Sequence, residues 1–428
     1  MSTMTSPRPS FPIHYGESSA VSSQPLVAWP IQIAFYLFVF SVPFEGYDPW
    51  GIRGVMTISK MAAYVFFLVS LFQASVCLKW LPKVLLCFVT FLLVFSFREA
   101  FNDINPLGTI HLILMLFQLI AMFWLSANLM ERPDVAKRTI ITLGLSCGLV
   151  GCLMLSGLIA SERMGRTSAF TMDENYIGLI YVIGSLILIG LAHGRLASSK
   201  AWSLVAWPIT LVLFLQIVAT GSRTAMVAMP FGAAMIVFKK GRVVSKLWAL
   251  LVVSIAVFAF VYVVVGNATA VERWERTVKE KTLSGRESLY PEAFKMFLER
   301  PILGWGRTAS TWELGRRLGE KGPAGPHNEL LSHLVAGGLT QTLPLVIGVL
   351  LCLRGAWVAR GGSLGSIPLA ILMTVLLVGM SIDVYHRKVA WLALALGFAC
   401  GRSAAREKLE AVSQAIAYPY YPQAGSSR

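Results

Sequence analysis

Apolar residues recur along almost the whole chain in blocks long enough to span about 30 Å of hydrocarbon, separated by short stretches of Pro, Gly, Ser and charge. Taken as helices, twelve blocks centre near residues 36, 67, 89, 117, 150, 185, 210, 231, 256, 346, 376 and 395. The predicted fold is all-α: a polytopic integral membrane protein of about 12 transmembrane helices. Residues 1–26, Ser/Pro-rich and without an apolar core, read as a disordered cytoplasmic tail and not as a signal peptide. Residues 27–265 hold helices 1–9, and residues 266–328 form a long periplasmic loop containing short helices. Residues 329–401 hold helices 10–12, and residues 402–428 form a second cytoplasmic tail. Small residues in 144-GLSCGLVG-151 predict close helix packing.

Composition reinforces the pattern. Of 428 residues, 56% are hydrophobic and 14% charged, against about a quarter charged in ordinary soluble domains. The formal net charge of +15 is unevenly spread. With an even number of spans both termini share a side, taken as the cytoplasm. Inward loops then hold Lys79, Lys83, Arg132, Lys137, Arg138, Arg195, Lys200, Lys239, Lys240, Arg242, Lys246, Arg354 and Arg360. Short outward loops hold only Arg53, Arg98, Arg163, Arg166, Arg223, Arg387 and Lys388. This is the positive-inside bias. The charge therefore reports topology and contact with membrane lipids, not nucleic-acid binding. All six cysteines fall in or beside apolar runs, which leaves no disulfide framework and no CxxC metal site.

Residues 266–328 break the bias, with 11 Lys/Arg against 8 Asp/Glu in 63 residues facing outward. Long loops translocate largely regardless of charge, so the topology stands. An arginine-rich loop there suits an anionic substrate. The chain has no GxxxxGK[ST] loop, no HExxH, and no paired carboxylates at metal spacing. Any group transfer outside the cytoplasm would use an already activated donor, with no cofactor and no metal.

Three candidates for chemistry follow. In 220-TGSRTAMVA-228, Arg223 sits at the outer boundary of a two-helix corner. It acts either as a site residue or as an interfacial anchor reaching for headgroups. In 284-SGRESLYPEAFKMFLERPILGWGR-307, a short helix is predicted from about Pro291 to Arg300. Phe294, Phe297 and Leu298 share one face, suited to the bilayer surface or to capping the bundle. Arg286 precedes that helix and either binds an anion near its N-terminus or pairs with Glu287. The stretch 315-GRRLGEKGPAGP-326 reads as a mobile lid or a solvated linker. Finally Asn328 is an N-cap for a helix beginning at Glu329, which fixes His327 at a helix start near the membrane plane as a candidate general base. His333 in the same helix reads as packing.

The ordered set 165-GRTSAFTMDENYIG-178, 221-GSRTAMVA-228, 285-GRESLYPEAFKMFLERPILGWG-306 and 327-HN followed by Gly338 resembles the O-antigen ligase and O-antigen polymerase superfamily of bacterial envelope glycosyltransferases. The likeness covers residues 30–400 and is strongest over 160–340. Where members often carry a second glycine three residues after the Gly338 position, this chain has Gln341. The resemblance implies metal-independent transfer of an undecaprenyl-diphosphate-linked glycan to a sugar hydroxyl, at the periplasmic side of the bacterial inner membrane. Arg223, Arg286 and His327 match the family's essential positions. Arg166, Asn175 and Asn328 are then expected to bind substrate. The acceptor is either a growing glycan (O-antigen or exopolysaccharide polymerase) or lipid A-core (ligase), with envelope polysaccharide assembly proteins as partners. Twelve spans also suit a polysaccharide transporter or flippase, but the halves show no repeat and the polar cluster lies outside the midplane. A scaffold for an envelope complex would leave the arginine–histidine set unexplained.

Overall fold

The computed structural model describes residues 27–51, 56–79, 81–100, 106–163, 166–170, 172–193, 196, 199–237 and 286–417, with isolated positions between 261 and 275. The two expected tails at 1–26 and 418–428, the helix expected near 256 and nearly all of 267–285 lie outside the described residues.

Caps and prolines punctuate the apolar blocks where the sequence places them. Proline occupies the first helical turn of α1 (Trp29–Ser41) and α6 (Pro133–Leu155). Thr57 caps α2 (Ile58–Ser70), and a short α3 (Ala74–Cys77) follows. Then come α4 (Pro82–Ala100) and α5 (Pro106–Leu129). Asp173 caps α7 (Glu174–Ala192), and Ser199 caps α8 (Lys200–Ala219). Next are α9 (Arg223–Val237), α10 (Arg286–Glu299) and α11 (Arg307–Arg317). Asn328 caps α12 (Glu329–Ala359), followed by α13 (Ile367–Gly379) and α14 (Lys388–Ala417). Helices cover every expected centre that falls among the described residues. The described residues are nearly all helical, as expected of an all-α membrane protein.

Six helices among the described residues are long and apolar enough to cross a membrane: Ile58–Cys77, Pro106–Leu129, Pro133–Leu155, Glu174–Ala192, Ala201–Ala219 and Glu329–Ala359. Shorter apolar helices cover Trp29–Phe44, Arg223–Val237 and Ile367–Gly379. This is a multi-pass membrane protein, although these helices do not by themselves give the expected count of twelve spans. The expected close packing at 144–151 is present: Gly144, Gly148 and Gly151 lie under Ile187, Ile209 and Leu213. All six cysteines are free thiols.

The fold adds an element absent from the sequence reading. β1 (Ala160–Arg163) and β2 (Arg166–Ala169) pair antiparallel, with Arg163 opposite Arg166. The hairpin fills the approach from α6 to α7.

The bundle has two distinct ends. At one, Arg402 pairs with Glu131 at 2.5 Å, Asn128 holds the carbonyls of Cys77 and Lys79, and Ser366 donates to the carbonyl of Met235. At the other, Tyr176 and Lys388 each lie 2.8 Å from the Glu45 carboxylate, and the start of α11 meets Glu99 at the end of α4. The candidate residues all lie at this second end.

There α10 and α11 form a helical hairpin docked on α12 through Ala293, Met296, Leu314, Ala324 and Val335. Arg317 pairs with Glu292, Glu299 and Glu313, and Arg300 stacks over Trp305 at 3.9 Å. Phe294 and Leu298 stay exposed, which suits a surface facing lipid, whereas Phe297 packs inward. Two expectations change. The helix reaches back to Arg286 and carries Pro291 inside it rather than as its first residue, because an interior proline gives up a main-chain bond and bends a helix without having to end it. The glycine-rich stretch 315–326 is held in place: Gly315 lies within α11 against the carbonyl of Gly322, and buried Ala324 donates to the Thr311 carbonyl at 2.9 Å.

α12 is interrupted at Gly338, with φ 60° and ψ −160°. The carbonyls of Val335 and Ala336 accept from Trp305 and Gly306 instead of from their own helix, at 2.9 and 2.7 Å. The displaced donors Leu339 and Thr340 turn to the carbonyls of Pro301 and Ile302, at 2.8 and 3.2 Å. These four main-chain groups released by the break thus find partners in the 301–306 turn.

Candidate functional site

The corner between α8 and α9 delivers Arg223 as the first residue of α9. Ser222 caps it by accepting from the Ala225 N–H at 3.3 Å. The Thr220 carbonyl, at the end of α8, accepts from Arg166 Nε at 2.8 Å. Arg166 thereby ties the hairpin to the corner. Its remaining nitrogens pair with Glu174 at 2.8 Å and donate to Asn175 Oδ1 at 3.3 Å. Burial pulls the Arg166 guanidinium below its ordinary range, and the charges of Glu174 and Asp173 oppose that.

Arg286 opens α10 and donates through Nη2 to the main-chain carbonyl of Ser381 at 2.8 Å. Ser381 follows α13, and its hydroxyl accepts from Thr224 at 2.8 Å. His327 has a left-handed backbone, with φ 50°. Few non-glycine residues adopt it, and such strain concentrates at functional sites. Asn328 then swings extended (φ −147°), and its Oδ1 accepts from the Leu331 N–H at 3.1 Å to start α12.

These segments close on one cavity of about 240 Å³. It is lined by Arg166, Asp173, Asn175, Arg223, Thr224, Arg286, His327, Ser381 and Ile382. Five expected residues therefore meet there: Arg166, Asn175, Arg223, Arg286 and His327. The sixth, Asn328, caps α12 behind the wall. Arg286 and Arg166 are near enough to repel Arg223, while Glu287 attracts it. Among the described residues, Asp173 is the sole carboxylate on the lining against three arginines, so the cavity favours an anion. Among the described residues, no group of three or more His, Cys, Asp or Glu is placed to hold a metal ion.

Four lining residues escaped the sequence reading. Asp173 and Thr224 lay inside the quoted motifs without a recognised role, and Ser381 and Ile382 carry no spacing signal at all.

Beside the cavity lies a second polar cluster. Arg307 pairs with Asp383 at 2.9 Å, and Ser332 donates to the same carboxylate at 2.8 Å. Burial pushes Asp383 upward, but the Arg307 charge and the bonds from Arg307 and Ser332 outweigh it and hold the carboxyl below its usual range. His333 is buried as expected, 3.0 Å from Glu329 Oε1 and 3.2 Å from Gln341 Nε2. Gln341 thus fills the space beside Gly337 and joins the cluster, so helix packing survives the missing second glycine.

No curated protein matches the chain. Residues 208–346 match the family model for O-antigen ligase, a span that contains Arg223, Arg286 and His327 but neither Arg166 nor Asn175. The match supports the O-antigen ligase and polymerase superfamily for this chain.

Proposed function

We propose that the chain is a membrane glycosyltransferase that moves a glycan from undecaprenyl diphosphate to an acceptor sugar hydroxyl, as an O-antigen or exopolysaccharide polymerase. The observation that carries this is the convergence of Arg223, Arg286 and His327 on one polar cavity from three separate stretches of chain. In the proposed step His327 takes the proton from the acceptor hydroxyl as its oxygen attacks the anomeric carbon. The bond from that carbon to the phosphate oxygen breaks, and the diphosphate leaves with the electron pair. Arg223 and Arg286 receive its charge, since guanidinium forks match phosphate oxygens bidentately. Arg166 and Asn175 face the same space and bind the sugar or phosphate, while Asn328 holds His327 in register.

The cavity lies at the helix ends whose short loops carry the fewer Lys and Arg, which supports a periplasmic placement in an inner membrane. On that placement 266–328 is the catalytic loop between nine preceding and three following spans. Ligation to lipid A-core is the second candidate, favoured by the ligase description of the matched family. Neither reaction, as proposed, uses a cofactor, since the donor is already activated by its diphosphate.

A deletion strain with its glycans displayed on a gel tests the proposal. Core capped with single repeats, or missing exopolysaccharide, is the expected result. Long lipid-linked polymer with bare core would make the chain a ligase instead. Normal polymer in the deletion strain, or from a strain carrying Arg286→Ala or His327→Ala, would overturn the site.

A further inference from the structure

Glu329 does not line the cavity, yet its carboxylate touches what arranges three of the residues around it. It stands in the first turn of α12, two positions beyond His327. One oxygen, Oε2, accepts the main-chain N–H groups of Val384 and Tyr385 at 2.6 and 3.2 Å. The other, Oε1, lies 3.0 Å from His333 Nε2. Bonds from main-chain donors to an ionised acceptor are among the strong ones in a protein. The carboxylate therefore clamps the turn from Met380 to Tyr385 onto the start of α12.

That turn is a shared platform. The Ser381 carbonyl receives Arg286, and the Ser381 hydroxyl receives Thr224. The Met380 carbonyl accepts from Asn328 Nδ2 at 3.4 Å and from the Tyr290 hydroxyl at 3.3 Å. A displaced turn would carry Arg286 with it and loosen the cap beside His327. We propose that Glu329 is a positioning residue for the transfer reaction, setting the separation of Arg286 and His327 through the 380–385 turn. The proposal rests on the reaction assigned to the cavity, and concerns the geometry that reaction needs.

Two lengths of side chain and one change of charge test it. Glu329→Ala removes both acceptors, Glu329→Asp keeps the charge but falls short of the two N–H groups, and Glu329→Gln keeps one oxygen able to accept them. Each purified variant is assayed in vesicles with lipid-linked glycan isolated from the deletion strain, alongside His327→Ala. Glu329→Ala and Glu329→Asp should lose about tenfold or more in kcat/KM, and Glu329→Gln should restore most of it. A merely structural role would instead lower the yield of folded protein and leave the kcat/KM of what remains unchanged. Should the alanine variant not accumulate, the aspartate variant decides. Wild-type kcat/KM for Glu329→Asp overturns the positioning role. Wild-type transfer by His327→Ala overturns the underlying reaction instead, so the two failures are distinguishable.

Discussion

The N–H of Leu339 donates to the carbonyl of Pro301 at 2.8 Å, although a regular helix would send it to Val335. Gly338 permits this exchange. Its φ of 60° strains any L side chain, and a β-carbon there would meet the Ile302 carbonyl. Gly338→Ala should therefore cost at least about 1–2 kcal/mol, read as a lower thermal midpoint in detergent. An unchanged midpoint would show that the 301–306 turn and α12 do not interlock.

His327 combines a left-handed backbone with a ring on the cavity, and the two can be separated. Asparagine tolerates that backbone but offers no base. His327→Asn should accumulate and melt like the wild type while transfer falls about 10²–10⁴-fold. Wild-type turnover from this variant would remove the proton-accepting role.

Arg286 holds the Ser381 carbonyl with one nitrogen and has others left to present to the cavity. Lysine keeps the charge on a single ammonium and cannot do both. Arg286→Lys should reach the membrane normally yet lose about tenfold or more in kcat/KM for the lipid-linked donor. Equal activity would mean that charge alone suffices.

His386, in the turn between α13 and α14, is pushed down to about 4, chiefly by burial and then by Arg387, with Glu45 and Asp383 opposing and Arg307 adding to the push. The folded ring then binds its proton less readily than the unfolded one, whose value lies near 6.5. Between those values the unfolded chain takes up more protons, so stability falls as pH drops from about 6.5 toward 4. The slope contributed is at most about 1.4 kcal/mol per pH unit. Thermal midpoints across that range should decline for the wild type and flatten for His386→Gln; parallel curves would count against it.

How far the sequence carries depends on the reach of each signal. Asn328 as an N-cap, and with it the placing of His327 at a helix start, was legible because capping is a local event between a side chain and the N–H three residues on. The apolar blocks were legible because each is a continuous run. Pro291 misled, since proline favours the first helical turn, whereas here the helix runs through it from Arg286. The 315–326 stretch misled because glycine serves close approach as readily as flexibility, and Gly315 abuts the carbonyl of Gly322. The hairpin at 160–169 is too short for a two-residue period to register. Ser381 was invisible: what it gives Arg286 is a main-chain carbonyl, which every residue type possesses.

The turn at 380–385 comes later in the chain than Arg223, Arg286 and His327, all of which it helps to arrange. A polypeptide stopped by a nonsense codon before Met380 would already carry the two arginines and the histidine, yet lack the carbonyls and the hydroxyl that hold them in place.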